Sequence, residues 1–205
     1  MKILVVYYSL YGHVLKLARA AAAGAAEVPG VAVVLRRVAE FDWVYQEKIQ
    51  GHPHALKVWE DQQDIPVCTL EDLRVADGIL FGSPTRYGNM AAQMKALFDA
   101  TVELWMQGAF EGKPAGVFTS TATTHGGQET TCLTMMVPLL HLGMFIVGVP
   151  YSTPGMLHTE GRGGTPYGAT TVAGSQNEKV PTPEELAIAR ALGRRVAAAA
   201  QKLRG

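Results

Sequence analysis

The chain has 205 residues, 48% of them hydrophobic, and its 18 basic and 18 acidic residues give no formal net charge. This length and apolar content suit one globular domain with a full core. The balanced charge gives no basic stripe that would favour nucleic acid as a partner, and no acidic excess for docking to basic proteins.

Compartment and metal content follow from what the sequence lacks. No apolar run approaches the roughly 20 residues that a membrane span needs, and the N-terminus passes into a strand pattern without signal-peptide character. Cys68 and Cys132 lie far apart, which predicts reduced thiols and a cytoplasmic location. We expect no metal site. His52 and His54 come nearest to the spacing of metal ligands, but this pair is better interpreted as part of a solvated loop.

Strand and helix patterns alternate along the chain, which predicts parallel βαβ units. The last predicted helix has the clearest start signal. It starts from Thr182 with a capping box and has a proline at its first helical position. The sequence thus predicts an α/β fold with a doubly wound, five-stranded parallel sheet, in one domain of residues 1–205. The predicted strands are residues 3–8, 31–38, 77–83, 115–120 and 144–149, and the other predicted helices are residues 13–27, 69–75, 90–105 and 127–142.

Two stretches depart from this alternation. Residues 40–66 are polar with interspersed aromatic residues, which predicts an inserted surface segment that is partly helical. Residues 150–181 are rich in glycine, proline and threonine, which predicts a long loop. A loop of this length in a compact domain is usually functional or disordered, and its aromatic and glycine content favours an ordered role at a site or a subunit contact.

Three loops follow predicted strands at the edge of the sheet where open α/β proteins bind ligands. The first, residues 9–14, brings Ser9 and a series of amide groups to the start of a helix. Such amides bind an anion, most often a phosphate; an ordinary strand–helix turn is the alternative. Because the loop is neither GxGxxG nor GxxxxGK[ST], we expect neither a Rossmann-bound dinucleotide nor a P-loop nucleotide there.

The second and third loops are suited to a flat ligand. In the second loop, Gly88 permits an unusual backbone angle and Asn89 can cap the next helix. The ring of Tyr87 can stack on a heterocycle, and Arg86 can supply a cation. A capped loop with a solvated arginine is the alternative. The third loop, residues 120–128, has small hydroxyl residues and glycines that let the backbone approach a ligand; a flexible polar turn is the alternative.

Four motifs in these regions are together similar to the WrbA-type NAD(P)H:quinone oxidoreductases, which are flavodoxin-like FMN enzymes. They are SLYGH from residue 9, PTRYGNM from residue 84, STATTHGGQE from residue 120 and GGTPYGATTVAG from residue 163. The resemblance extends over essentially the whole chain and implies strand order 2-1-3-4-5, an FMN cofactor, NAD(P)H and quinones as substrates, and a homotetramer. One departure is the third loop, which is longer than the glycine-dense form of the family and has Ala122 and His125 where glycines are expected.

The resemblance also implies roles for individual residues. The residues implied to hold the FMN phosphate are Ser9, Leu10, Tyr11, Gly12, His13 and Val14, those at the isoalloxazine ring are Pro84, Thr85, Arg86 and Tyr87, and those bordering the ring and the ribityl chain are Ser120, Thr121, Ala122, Thr123, Thr124, His125 and Gly126. His141 matches a family histidine near the flavin, and with Arg86 it is the predicted catalytic residue. Tyr11 matches a contact to the nicotinamide nucleotide, and Trp105 matches a tryptophan of the substrate space, which can belong to a neighbouring subunit. Without the resemblance, Trp105 would be assigned to the core and His141 to the core or a helix end.

The predicted activity is a two-electron reduction of quinones by NAD(P)H, in which the flavin supplies the redox chemistry. An aromatic slot of Tyr11, Tyr87 and Trp105 would accept the two flat substrates in turn, giving a ping-pong mechanism, and Arg86 would stabilise negative charge. The alternative function is a flavodoxin-type electron carrier that a separate reductase reduces. The neutral charge and the two additional segments favour the enzyme.

Overall fold

The computed structural model describes residues 1–204, which fold around one twisted sheet. The strands are β1 (Lys2–Tyr7), β2 (Ala32–Arg37), β3 (Gly78–Arg86), β4 (Asn89–Met90), β5 (Pro114–Thr121), β6 (Phe145–Ile146) and β7 (Ala169–Val172). The parallel strands lie in the order β2-β1-β3-β5-β6. Counted by their five positions, this is the order 2-1-3-4-5 that the family resemblance implies, so the prediction of a doubly wound parallel sheet is confirmed.

Helices cover both faces of this sheet. They are α1 (His13–Ala26), α2 (Asp42–Val44), α3 (Pro53–Glu60), α4 (Leu70–Val75), α5 (Ala92–Asp99), α6 (Val102–Met106), α7 (Gln128–His141) and α8 (Pro183–Leu203), with a π-helix at Tyr45–Ile49. Alternate residues of β1 point to opposite faces: Val5 packs with residues of α1 and α8, and Val6 packs with residues of α5 and α7. Within residues 1–204, none of the helices has the length and hydropathy to cross a bilayer.

The helix predicted at residues 90–105 is wrong, because this stretch contains two helices. The side chain of Thr101 donates a hydrogen bond to the carbonyl oxygen of Phe98 at 2.7 Å, and the backbone of Thr101 leaves the helical region between α5 and α6. The predicted cap is also wrong. Asn89 lies in β4, while the N-cap of α5 is Ala91, whose amide donates to the hydroxyl of Ser83 at 2.8 Å.

The strand predicted at residues 144–149 pairs only as Phe145–Ile146. The place beside the second half of β5 is taken by β7, which lies within the stretch predicted as a loop at residues 150–181. The chain leaves the sheet after β6 and returns at residue 169, with the amide of Val149 bonded to the carbonyl oxygen of Pro166 at 3.0 Å. The last sheet position is therefore shared by two short segments, and both are parallel to β5.

Candidate functional site

The loop between β1 and α1 presents free amide groups. Gly12 is the N-cap of α1 with φ of 89°, a conformation that favours glycine. The side chain of Ser9 accepts a hydrogen bond from the amide of Gly12 at 3.1 Å and thereby closes the loop. Within residues 1–204, the amides of Leu10, Tyr11, His13 and Val14 donate to no other group. Several unpartnered amides at a helix N-terminus form an anion site.

The second loop is a tight hairpin between β3 and β4. Tyr87 and Gly88 both have positive φ, of 54° and 77°, as in a type I′ turn. Helix α7 holds this hairpin, since Thr131 donates to the hydroxyl of Thr85 at 2.8 Å and Thr134 donates to the carbonyl of Gly88 at 3.2 Å. The ring of Tyr87 is fully exposed at the tip. The hairpin is therefore fixed, with one aromatic ring projecting from it.

The third loop, between β5 and α7, is shaped by its own hydroxyl and amide groups. Thr121 donates to the carbonyl oxygen of Thr123 at 2.8 Å, and the amide of Gly126 donates to the same oxygen at 3.1 Å. The buried side chain of Gln128 donates to the carbonyl of Thr124 at 3.2 Å and accepts from Thr170 in β7 at 2.6 Å. These bonds give the loop a defined conformation and connect it to β7.

All three loops meet at one cleft of about 240 Å³ at the carboxyl ends of the strands. The predicted site residues that line it are Ser9, Leu10, Tyr11, His13, Val14, Pro84, Thr85, Arg86, Ser120, Thr121 and Ala122. Gly12 closes the first loop behind them, while Tyr87 and residues 123–126 lie outside this lining. Three further lining residues, Ala173, Ser175 and Asn177, follow β7 and were missed by the sequence analysis. The GGTPYGATTVAG motif, which ends at residue 174, is the sequence signal that could have indicated them.

The segment at residues 40–66 forms a wall of the first loop. The side chain of Gln62 donates to the carbonyl of Ser9 and accepts from the hydroxyl of Tyr7, both at 3.1 Å. The ring of His54 stacks on Tyr11, and its Nε2 lies 3.3 Å from the carbonyl oxygen of Tyr11. These contacts join residues about 50 positions apart and hold the first loop from outside the sheet.

The same segment corrects one sequence prediction. His52 is the N-cap of α3, with its Nδ1 accepting from the amide of Ala55 at 3.3 Å, and Pro53 is the first helical residue. The prediction of a solvated loop is therefore wrong for His54, which lies in α3, whereas His52 precedes the helix; both side chains are exposed. Over residues 1–204 no group of three or more potential metal ligands comes together.

Two buried polar groups lie at the cleft or next to it: His13 is part of its lining, and Tyr8 directly precedes the first loop. Nε2 of His13 lies 2.7 Å from the carbonyl oxygen of Lys179, and burial lowers the pKa of this imidazole below its usual 6.5. The hydroxyl of Tyr8 donates to Glu40 at 2.8 Å, and burial, together with the Glu40 carboxylate, raises the pKa of this phenol well above its usual range. Both groups are therefore neutral near pH 7, and among the lining residues of the cleft Arg86 supplies the positive charge.

Trp105 and His141 lie together, but away from this cleft. Both line a separate cleft of about 490 Å³ between α5, α6 and α7. His141 is the last residue of α7, so at 1.5 Å per residue it lies about 20 Å along the helix from the third loop. Trp105 is 55% exposed, so its assignment to the core, the alternative to the family role, is wrong. Within one chain, neither residue reaches the cleft of the three loops.

Comparisons with known proteins agree with this geometry. A sequence profile described as NADPH-dependent FMN reductase matches residues 1–156. The NAD(P)H dehydrogenase (quinone) of Solidesulfovibrio magneticus is 49% identical over 205 residues, covering 100% of both chains. That of Geobacter sulfurreducens is 50% identical over 206 residues, again covering 100% of both.

Solved structures show the same fold. A WrbA-like flavodoxin from Agrobacterium tumefaciens superposes with a TM-score of 0.64 over 98% of each chain at 22% identity. A flavodoxin from the Archaea superposes with a TM-score of 0.63 over 100% of each chain at 20% identity. These likenesses establish a flavodoxin-like fold. The profile match and the sequence identity of about 50% to full-length relatives agree with the WrbA-type resemblance. The chain therefore belongs to the NADPH-dependent FMN reductase family and groups there with the NAD(P)H dehydrogenases (quinone).

Proposed function

We propose that this chain is an FMN-dependent NAD(P)H dehydrogenase that reduces quinones to quinols. The observation that carries the proposal is the cleft where three loops meet, with the unpartnered amides of Leu10, Tyr11, His13 and Val14 at one end. The full-length relatives named NAD(P)H dehydrogenase (quinone) support the same activity.

The residues of the cleft fit FMN. The amides of the first loop and the positive end of α1 suit the phosphate group, which carries negative charge and needs several donors. The hydroxyl groups of Ser120 and Thr121 and the amide side chain of Asn177 suit the hydroxyls of a ribityl chain. Pro84, Thr85 and Arg86 give the rigid, polar surface against which a flat ring system can lie.

When bound, FMN supplies the redox chemistry by taking two electrons from NAD(P)H and passing them to a quinone. The role we assign to Arg86 follows from its surroundings. Its guanidinium donates to the carbonyl oxygen of Thr85 at 2.8 Å and makes no ion pair with any carboxylate of residues 1–204. A cation without a counter-ion beside the cleft can hold negative charge that develops during reduction.

His141 and Trp105 complete the site from a neighbouring subunit in this proposal. Their separation from the three-loop cleft in one chain requires a second chain if they are to meet the flavin and the substrate. Exposed apolar residues surround them, including Val102, Met106 and Leu140, and such residues are common at the core of interfaces. We therefore infer a homotetramer in which each site takes residues from more than one chain.

Subunit mixing tests this arrangement. Arg86→Ala and His141→Ala should each lower activity, and a mixture refolded together should recover part of it, because some mixed sites contain both native residues. The control is a mixture of Arg86→Ala with Lys57→Gln, a variant that should behave as the wild type, because it measures the effect of diluting active chains with inactive ones. Light scattering that finds monomers at micromolar concentration, or a mixture no more active than the two separate variants, would contradict shared sites.

The activity itself has two direct tests. Purified protein titrated with FMN should keep the yellow colour through a desalting column, and should then oxidise NADH or NADPH steadily with benzoquinone. Parallel initial-velocity lines are expected, because the two substrates occupy one slot in turn; intersecting lines would rule out the ping-pong order. A need for a separate reductase would instead identify an electron carrier.

A further inference from the structure

A second, larger cleft opens beside the first. It has a volume of about 720 Å³ and shares Leu10, Tyr11 and Arg86 with the three-loop cleft, so the two are continuous. Its far side is formed by Trp43 and Lys48 from the segment at residues 40–66. A space of this size is typical of sites for small molecules and cofactors.

The charge on this cleft is one-sided. Lys48, Arg86 and Lys95 all line it, and no carboxylate does, although the whole chain has no net charge. Among residues 1–204, Lys48 makes neither a hydrogen bond through its ammonium nor an ion pair, whereas Lys95 is paired with Asp99. The cleft therefore offers free positive charge to a ligand that carries several negative charges.

An aromatic surface accompanies these cations. The indole of Trp43 is 55% exposed at the rim. The π-helix that carries Lys48 is anchored by Ile49, which is buried, and by Tyr45, whose ring packs on Trp59 at 5.4 Å between centroids. π-helices recur at functional sites, and here the anchored turn holds the charged side chain and the indole on one side of the cleft.

We propose that this second cleft binds the adenosine diphosphate half of NAD(P)H, with Trp43 against the adenine and Lys48, Arg86 and Lys95 around the phosphates. The inference rests on the proposed function, since the shared residues Tyr11 and Arg86 would place the nicotinamide half in the three-loop cleft. Charge-assisted hydrogen bonds to phosphate, together with stacking on the indole, account for the composition of the lining.

Calorimetric titration with ADP-ribose tests the cleft without any redox step. Lys48→Gln, Lys95→Gln and Trp43→Ala should each bind ADP-ribose about fivefold more weakly to the FMN-loaded protein, the loss typical of one partly exposed contact. The KM for NADPH should rise by a similar factor, while the KM for benzoquinone stays the same because this quinone has no phosphate. The matched control is Lys57→Gln, since Lys57 is exposed, is paired with Asp61 and does not line the cleft.

The outcomes separate this inference from the proposed function. If the wild type oxidises NADPH but does not bind ADP-ribose, or if the cleft variants match Lys57→Gln, the inference is overturned and the activity stands. If ADP-ribose binds as expected but no NADPH is oxidised, the proposed function fails and the cleft assignment stands. If Trp43→Ala changes the oligomer size and leaves ADP-ribose binding intact, the cleft is a contact between copies and the inference is overturned.

Discussion

Glu185 joins three separate parts of the chain, and its removal should be strongly destabilising. Its side chain is in the first turn of α8 and is only 2% exposed. The carboxylate accepts hydrogen bonds from the amide of Gly163 at 2.7 Å, the hydroxyl of Thr171 at 2.8 Å and the amide of Thr182 at 2.8 Å. It therefore ties the excursion after β6 and the strand β7 to the start of the last helix.

The free-energy cost of Glu185→Ala follows from the hydrogen-bond donors that it leaves without an acceptor. The amide of Gly163 and the hydroxyl of Thr171 are buried, and a buried donor without a partner costs about 1–3 kcal/mol. The lost capping interaction adds about 1 kcal/mol. We expect the free energy of unfolding to fall by about 3–7 kcal/mol in total. Glu185→Gln should lose less, because one acceptor oxygen remains.

Urea unfolding of the flavin-free protein, followed by circular dichroism, measures this loss. Glu184→Gln is the matched control, because Glu184 is the preceding residue, is exposed and bonds none of the three donors. The Glu185→Ala protein should also bind FMN more weakly, since β7 leads into the cleft residues Ala173, Ser175 and Asn177. If Glu185→Ala and Glu184→Gln unfold at the same urea concentration with equal slopes, the carboxylate does not hold these segments and the reasoning is wrong.

Three further predictions concern titration, thiols and packing. Burial lowers the pKa of His13 below 6.5, so the unfolded chain binds the proton more readily than the folded chain does. Stability should therefore be lost as the pH falls from 6.5 toward the folded-state pKa. The melting temperature of His13→Gln should fall less than that of the wild type over this pH range. Burial raises the pKa of the Cys68 thiol to about 12 and that of the Cys132 thiol above its usual range. Both thiols should therefore resist Ellman's reagent at pH 8 until urea is added. A fast reaction in the native protein would contradict this burial. Gly82→Ala would place a Cβ 2.1 Å from the ring of the buried Phe118 and should lower stability by about 1–3 kcal/mol; an unchanged melting temperature would show that the ring can move aside.

Local sequence patterns determined most of the scaffold. The apolar runs predict β1, β3 and β5 because buried parallel strands have few polar positions. The capping box at Thr182 predicts the start of α8, and both reciprocal hydrogen bonds of that box form. Since carboxyl ends of parallel strands meet at one edge, the pattern also predicted that the three loops would share a cleft.

Contacts between distant residues decided the rest. The strand β7 is only four residues long in a stretch rich in glycine and threonine, and its position depends on β5, on Gln128 and on Glu185. The wall that Gln62 builds against Ser9 is equally invisible to periodicity, because the two residues are 53 positions apart. The separation of Trp105 and His141 from the three-loop cleft is set by the length and direction of the helices that carry them. Sequence periodicity reports which face of an element is buried, whereas the partner that buries it is chosen only when the whole chain packs.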